Sequence, residues 1–154
     1  AEAARRLDAL DAHSFNAFHV VAVDPRQAHV AISDGKRLTT SPADARQLIV
    51  TEFGFGAARN RRKARIWRRV RDIGDGGLDL QEMCSILRDC EPHGSLDAVC
   101  VDLGEARYGT RSSTVIGWGG CGVAGARFLH TDSAPCAADY DDYSGDFRRL
   151  LESR

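Results

Sequence analysis

The amino-acid sequence predicts a layered α+β domain. Segments with strand patterning fall into two groups, and two adjacent helical segments separate the groups. An opening helix precedes the first group, and a short helix closes the chain after the second. Strands that cluster in runs, instead of alternating with helices, are typical of α+β architecture. The length of 154 residues fits one domain, so we expect a single domain over 1–154.

The first half of the chain predicts one helix and four strands. Ala3, Leu7 and Leu10 recur at helical spacing, so the chain opens in a helix that ends near residue 12. Asp34-Gly35 is a turn dipeptide that joins two strands in a two-residue hairpin. Apolar residues on both faces of the first strand predict that it is buried on both sides. The predicted strands are 15–23, 29–33, 36–40 and 47–53.

The second half predicts two adjacent helices, three strands and a final helix. Ile66, Val70 and Ile73 form the apolar stripe of the first of these helices. Asp79 and Glu82 have the spacing of a capping box, so the second helix begins there. The predicted helices are 59–73, 79–90 and 145–152, and the predicted strands are 97–102, 108–118 and 126–131.

The strand 108–118 carries one arginine among small residues. Side chains alternate between the two faces of a strand, so Arg111 shares a face with Gly109 and Ser113. Tyr108 and Thr110 lie on the other face. The small neighbours leave room around Arg111 for a ligand or for another backbone segment, and a guanidinium suits a carboxylate because it donates two parallel hydrogen bonds. A structural ion pair with an Asp or Glu explains the same pattern equally well.

Four stretches of the sequence, in order, resemble one protein family. Residues 108–115 read Tyr-Gly-Thr-Arg-Ser-Ser-Thr-Val, and residues 14–21 read Ser-Phe-Asn-Ala-Phe-His-Val-Val. Residues 48–54 resemble a strand and turn of the same family, and residues 127–136 resemble its closing strand and cysteine-containing segment. Together they resemble the C-terminal part of the NRDE family, also called the transport and Golgi organisation family. His19 stands where that family usually has asparagine.

The resemblance implies the αββα sandwich of N-terminal nucleophile hydrolases, in which an N-terminal cysteine attacks an amide. It implies that Arg111 orients the nucleophile or the substrate, and that Asn16 contacts an amide or an oxyanion. We expect four further residues to contact the ligand, and neither a metal ion nor a cofactor to be present. These ligand-contacting residues are Tyr108, Thr110, Ser113 and His19.

Three motifs of the family are absent from this sequence. They are an initial Met-Cys, the Asn-Arg-Asp-Glu sequence and a Gly-Gly-Thr-Trp segment. The sequence begins at Ala1, whose side chain is not a nucleophile. We therefore expect the C-terminal part of a longer protein, inactive as an amidohydrolase without the missing part. Sheet edges left unpaired in such a fragment would allow copies to associate.

Two other classes of function remain open beside the hydrolase. The family has been linked to haem trafficking, lipid metabolism and secretory-pathway organisation. A non-enzymatic protein that handles haem or an acyl ligand would need the pocket but not the cysteine. A purely structural partner domain is the third class, and it would be favoured if side chains filled the space around Arg111.

The charge pattern argues against nucleic acid as a partner. The formal net charge is −1, and the basic stretch 59–71 contains a single aromatic residue, Trp67. We interpret this stretch as a solvated helix face, with an anionic ligand or membrane surface as the alternative. The sequence shows no membrane span and no signal peptide. The basic residues are nearly all arginine, which is typical of proteins encoded by GC-rich genomes. We therefore expect a bacterial, cytoplasmic protein.

The residues that commonly bind metals show no metal-binding pattern. The five cysteines lack a C-x-x-C pair, so we expect buried thiols in a reducing compartment instead of a disulfide framework. No two histidines have zinc spacing. His19 and His130 lie on predicted strands, where a haem-ligand role is the alternative to a buried, hydrogen-bonded histidine. The acidic segment 139–146 fails the calcium-loop pattern and is predicted to cap the last helix.

Overall fold

The computed structural model describes residues 2–23, 27–43, 61–73, 79–117 and 122–153. These residues contain both α-helices and antiparallel β-sheets, so the predicted α+β class is confirmed. The chain divides into two compact units, Ala1–Glu52 and Phe53–Arg154, which we call the first and second units. Each unit contains its own three-stranded sheet. The single domain over 1–154 stays a prediction.

The described residues of the first unit form an antiparallel sheet and one α-helix. Its elements are helix α1 (Glu2–Asp8) and strands β1 (Phe18–Val23), β2 (Ala28–Ser33) and β3 (Leu38–Ala43). The strand order is β1-β2-β3, and the central position of β2 explains why Val30 and Ala31 are buried. The hydroxyl of Thr40 on β3 donates a hydrogen bond to Asp8 at the end of α1. The predicted strand 47–53 lies outside the described residues.

The prediction that the first strand is buried on both faces is wrong. Val21 and Val23 on one face are 48% and 67% exposed, and Val20 on the other is 38% exposed. Within the described residues β1 pairs only with β2, so it lies at a sheet edge. An apolar edge strand of this kind is a surface through which copies of a chain associate.

The predicted hairpin between β2 and β3 is confirmed, but its register differs. Ser33 pairs with Leu38, whereas a turn made of Asp34 and Gly35 alone would pair Ser33 with Lys36. The Asp34 carboxylate accepts hydrogen bonds from the backbone N–H groups of Lys36 and Arg37, at 2.7 and 2.6 Å. These bonds hold the pKa of Asp34 below its usual value and close the turn around Gly35 and Lys36.

The described residues of the second unit form three α-helices and a second antiparallel sheet. Its helices are α2 (Arg61–Ile73), α3 (Leu80–Leu87) and α4 (Ser144–Glu152). Its strands are β4 (Ser113–Gly117), β5 (Arg127–Thr131) and the two-residue β6 (Asp141–Asp142), in the order β4-β5-β6. The predicted strand 97–102 is wrong: this stretch is a series of turns and bends with one isolated bridge residue, Asp102.

Helices cover both faces of the second sheet. Cys84 from α3 packs with Val115 and Leu129 in the hydrophobic core on one face. Phe128 alternates with Leu129 along β5 and therefore lies on the other face, where its ring is 5.3 Å from that of Phe147 on α4. A different helix thus packs against each face of β5.

Helix α3 begins where the sequence predicts. The side chain of Asp79 accepts the backbone N–H of Glu82 at 2.7 Å, and the Glu82 carboxylate accepts the backbone N–H of Asp79 at 3.2 Å. Both halves of the predicted capping box are therefore formed, which is typical of a well-defined helix start. The cap fixes the position of Leu80 and Cys84 over the sheet.

The basic helix α2 is anchored on one side and solvated on the other. Arg65 donates to both carboxylate oxygens of Asp89 at 2.7 Å, and Arg69 donates to the hydroxyl of Ser85 at 2.9 Å. Arg61 is exposed, as the interpretation of a solvated face requires. Within the described ranges, no helix has the length and apolar character needed to cross a membrane.

Candidate ligand-binding site

The glycine beside Arg111 makes room for the protein's own backbone. A Cβ atom at Gly109 would lie 2.6 Å from the carbonyl oxygen of Val101, and Gly109 forms an isolated bridge with Asp102. The N–H of Thr110 donates to that same carbonyl at 2.8 Å, and the Thr110 hydroxyl accepts the N–H of Val101 at 3.0 Å. The sequence predicted that either a ligand or another backbone segment fills the space beside Arg111. At Gly109 the structure has the backbone of Val101 and Asp102.

Arg111 lies at the surface, before the strand begins. The hydrogen bonds of Tyr108 and Thr110 go to Leu103 and Val101 instead of to β5, so regular pairing starts only at Ser113. The predicted strand 108–118 is therefore wrong over residues 108–112. Arg111 is exposed, and among the described residues its guanidinium has no hydrogen-bond or ion-pair partner. In the described part of the chain, Arg111 therefore neither points inward nor forms the alternative ion pair with an Asp or Glu.

The other predicted ligand contacts of the second unit differ in accessibility. Ser113 is half-buried, and its hydroxyl accepts a hydrogen bond from the phenol of Tyr140 at 2.7 Å. The backbone N–H and the hydroxyl of Thr110 are both hydrogen-bonded to Val101. Tyr108 is 49% exposed. Thr110 and Ser113 thus serve the internal hydrogen bonding of the unit, while Tyr108 and Arg111 are accessible from solvent.

The two predicted site residues of the first unit lie on or beside β1. Asn16 is exposed, two residues before the strand begins. His19 lies on β1 opposite Ile32 and is half-buried. Its Nδ1 atom is buried and finds no hydrogen-bond partner among the described residues. A buried imidazole nitrogen without a hydrogen-bond partner is uncommon. A ligand that binds this nitrogen is one explanation for it.

An open cleft of about 520 Å³ lies in the second unit, beside α3 and β5. Its apolar floor includes Leu80, Cys84 and Leu129, which belong to or border the hydrophobic core. Its polar walls carry both charges. The charged and aromatic residues among them are Asp79, Arg88, Arg127, Asp139, Tyr140 and Asp142. Most of the lining residues are charged or polar, so the cleft suits a small ligand that is itself polar or charged.

Arg88 is the best-oriented cation of this cleft. It follows the end of α3, and its guanidinium carbon lies 5.5 Å from the centre of the Tyr140 ring, within the range of a cation–π contact. Its ion-pair partner Asp139 is 2.7 Å away, but the side chain of Asp139 is 99% exposed. Exposed ion pairs contribute about 0–1 kcal/mol, so an incoming anion can replace this carboxylate at little cost.

Arg127 supplies a second cation. It pairs with Asp142 at 3.2 Å, and both side chains are about half exposed, at 48% and 51%. Hydrogen bonds from Ser144 hold the pKa of Asp142 below its usual value, and the nearby Arg127 lowers it further. Asp142 therefore remains an anion that can hold a cationic group of a ligand while Arg88 or Arg127 holds an anionic one.

Cys84 is not equipped to act as the nucleophile of the cleft. Its side chain is buried, and burial raises the pKa of its thiol, an effect only partly opposed by the charge of Arg88. A thiol with a raised pKa is protonated at neutral pH, whereas the thiolate is the attacking species. The cleft is therefore arranged to bind a molecule, not to attack it through this cysteine.

A smaller cleft of about 300 Å³ adjoins the first and shares Arg88 and Asp139 with it. Its lining includes Cys136, whose sulfur lies 2.8 Å from that of Cys100. The sequence analysis did not anticipate this thiol pair, because the two cysteines are far apart in the chain and form no motif. It did not anticipate Arg88 or Arg127 either, since neither stands in a recognisable pattern.

His130 is fully engaged in hydrogen bonding. Its Nδ1 lies 2.8 Å from the hydroxyl of Thr114, and its Nε2 lies 2.9 Å from a carboxylate oxygen of Asp132. Binding haem iron would break one of these contacts, so the structure favours the partnered-histidine interpretation at this position. In the part of the chain that is described, no group of three or more His, Cys, Asp or Glu side chains converges on a metal-sized site.

Comparison with known proteins leaves the family open. No family model matches the chain, and neither a curated protein nor a solved structure matches it. Membership of the NRDE family therefore stays a prediction from the four sequence stretches.

Proposed function

We propose that this chain is part of an NRDE-like protein and that it binds a small carboxylate-bearing molecule in the cleft beside α3 and β5. The observation that carries the proposal is the guanidinium of Arg88, which lies against the Tyr140 ring and donates to the carbonyl oxygen of Ala138 at 3.4 Å. Among the described residues its ion-pair partner is Asp139, whose side chain is almost fully exposed. This is the ligand-handling alternative of the sequence analysis, without an enzymatic step.

Three features of the cleft support a ligand with a carboxylate, an amine or amide, and a short apolar group. A ligand carboxylate replaces Asp139 on Arg88, gaining a charge-assisted hydrogen bond to a cation that is already held in position. An amine or amide of the same ligand can then interact with the carboxylates that also line the cleft, which are Asp79, Asp139 and Asp142. The apolar floor formed by Leu80 and Leu129 accepts a short aliphatic or acyl group. A zwitterion or an N-acyl amino acid has this combination.

Replacing Arg88 by glutamine is expected to weaken the binding of such a ligand at least tenfold. A hydrogen bond to a charged group contributes about 1.5–3 kcal/mol, which corresponds to roughly a 10- to 100-fold change in Kd. The measurement is calorimetric titration of the chain with amino acids, N-acyl amino acids and fatty acids. Arg149→Gln, on the exposed face of α4, is the matched control and should leave the Kd unchanged.

Equal affinities of the Arg88→Gln variant and the unaltered chain would refute the cleft assignment. Haem belongs in the same titration series, followed by its visible absorption spectrum. Haem binding that disappears in a His19→Ala variant but survives Arg88→Gln would move the site to the first unit, where the buried Nδ1 of His19 lacks a partner among the described residues.

A second candidate function is the N-terminal cysteine amidohydrolase that the resemblance implies. The observation in its favour is the exposed guanidinium of Arg111, which is unoccupied among the described residues and free to bind an oxyanion. In this candidate the nucleophile is the N-terminal cysteine that the resemblance implies, Asn16 contacts the amide or an oxyanion, and His19 contacts the ligand. Tyr108 contacts the ligand beside Arg111.

The αββα sandwich belongs to this second candidate. The two three-stranded antiparallel sheets support it, whereas the helices on both faces of the second sheet argue against it. An experimental structure in which the two sheets share no face would exclude the sandwich.

The hydrolase candidate is tested on the natural coding sequence. If an upstream Met-Cys is present, Cys→Ser in the longer protein should abolish amide hydrolysis, and Arg111→Ala should lower kcat/KM at least tenfold. An Arg111→Ala variant with unchanged turnover and unchanged ligand affinity would show that Arg111 is not part of the site. Activity that survives Cys→Ser would show that the N-terminal cysteine is not the nucleophile.

A further inference from the structure

Two cysteines of the second unit lie in direct contact through their sulfur atoms. The Sγ of Cys100 and the Sγ of Cys136 are 2.8 Å apart. Cys100 is completely buried, whereas Cys136 is exposed and lines the smaller cleft. One thiol of the pair is therefore reachable from solvent and the other is held directly behind it.

The backbone holds both cysteines in place. The N–H of Cys100 donates to the carbonyl of Asp89 at 2.8 Å, and the carboxylate of Asp89 is itself bound by Arg65. Cys136 follows the fully buried Pro135. It lies in a turn closed by a 2.9 Å hydrogen bond from the N–H of Ala137 to the carbonyl oxygen of Ala134. Because both segments are anchored, a covalent bond between the sulfurs needs an approach of only about 1 Å.

We propose that Cys100 and Cys136 form an oxidisable pair that a small-molecule disulfide converts into an intramolecular disulfide. The Cys136 thiolate attacks one sulfur of the oxidant, forms a mixed disulfide and releases one small thiolate. Cys100 then loses its proton and attacks the sulfur of Cys136, which releases the second small thiolate. The two protein thiols are oxidised by two electrons, the oxidant is reduced to two thiols, and the two protons leave with them.

The surroundings of the pair make the cross-link slow to form and slow to break. Desolvation of the sulfur, together with the contact with Cys100, raises the pKa of Cys136 to about 11, although the residue as a whole is exposed. Thiolate is therefore scarce at neutral pH, and the rate of oxidation should rise about tenfold per pH unit. Reduction requires an external thiol to expel Cys100 as a thiolate into a fully buried position. The pair is thus suited to a durable cross-link and not to catalytic turnover.

The experiment treats the purified chain with oxidised glutathione at pH 7, 8 and 9. We expect the loss of two free thiols per chain, a proteolytic fragment that joins Cys100 to Cys136 under non-reducing conditions, and a Tm higher by roughly 10 °C. A reductant should reverse all three changes. The rate should increase about tenfold from each pH to the next.

Two single variants make the test decisive. Cys136→Ser should prevent both the cross-link and the rise in Tm, whereas Cys90→Ser, at a half-buried cysteine not involved in the pair, should retain them. Stable glutathionylation of Cys136, a link from Cys136 to Cys84, Cys90 or Cys121, or a cross-link that leaves the Tm unchanged would each overturn the proposal.

Discussion

Replacing Gly109 with alanine is expected to destabilise the second unit by about 1–3 kcal/mol, with a corresponding fall in Tm. The added Cβ would lie 2.6 Å from the carbonyl oxygen of Val101 and 3.3 Å from the Cα of Asp102. Both neighbours are backbone atoms, so the main chain itself has to move. That movement would disrupt the two hydrogen bonds between Thr110 and Val101, at 2.8 and 3.0 Å.

Gly145→Ala is the matched control for this substitution. A Cβ at Gly145 would meet no atom within 4 Å, and the residue lies in the first turn of α4. Alanine within a helix is favoured over glycine by about 0.5–1 kcal/mol, so the control should be neutral or slightly stabilising. If Gly109→Ala melted at the temperature of the unaltered chain, the space at Gly109 would be open, and the ligand alternative for Arg111 would return.

Local sequence signals predicted the parts of the fold that depend on neighbouring residues. The capping box of Asp79 and Glu82 needs only residues three apart, and the structure forms both of its hydrogen bonds. The turn at Gly35 is also local, but its register depends on which N–H groups the Asp34 carboxylate binds. The pattern predicts that there is a turn, while the side-chain hydrogen bonds determine which residues pair across it.

The segment before β4 shows why the predicted site was only partly recovered. Alternation along 108–118 correctly assigns Ser113 and Val115 to one face, because that part pairs with β5. It fails at Arg111, because the preceding residues Tyr108 and Thr110 are hydrogen-bonded to Leu103 and Val101, which no local pattern reveals. A small residue beside an arginine therefore signals a close approach without saying whether a ligand or a backbone approaches.

The cleft and the thiol pair depend on contacts between distant segments. Arg88 follows α3, while Tyr140 and Asp139 precede β6, and only the packed structure brings these side chains together. Cys100 and Cys136 likewise come from separate loops. Neither grouping has a sequence signature, because the spacing of the residues is set by tertiary packing instead of by a helix or strand period.

Replacing Leu129 with alanine is expected to lower the free energy of unfolding by about 3 kcal/mol, within the 2–5 kcal/mol usual for buried leucines. Leu129 is 6% exposed on β5 and packs with Cys84 and Val115, so truncation removes apolar contacts and leaves a cavity beneath α3. The matched control is Leu150→Ala on α4, where the side chain is 55% exposed.

Urea unfolding at constant pH measures both leucine variants, and the control should change the free energy by less than about 1 kcal/mol. Equal losses for the two would mean that α3 does not cover this face of the sheet. Because Leu129 also lines the cleft, the truncated chain gives a second readout. A variant that remains folded but binds an acyl-bearing ligand more weakly, while binding a simple amino acid as before, would assign the apolar end of the ligand to Leu129 and its carboxylate to Arg88.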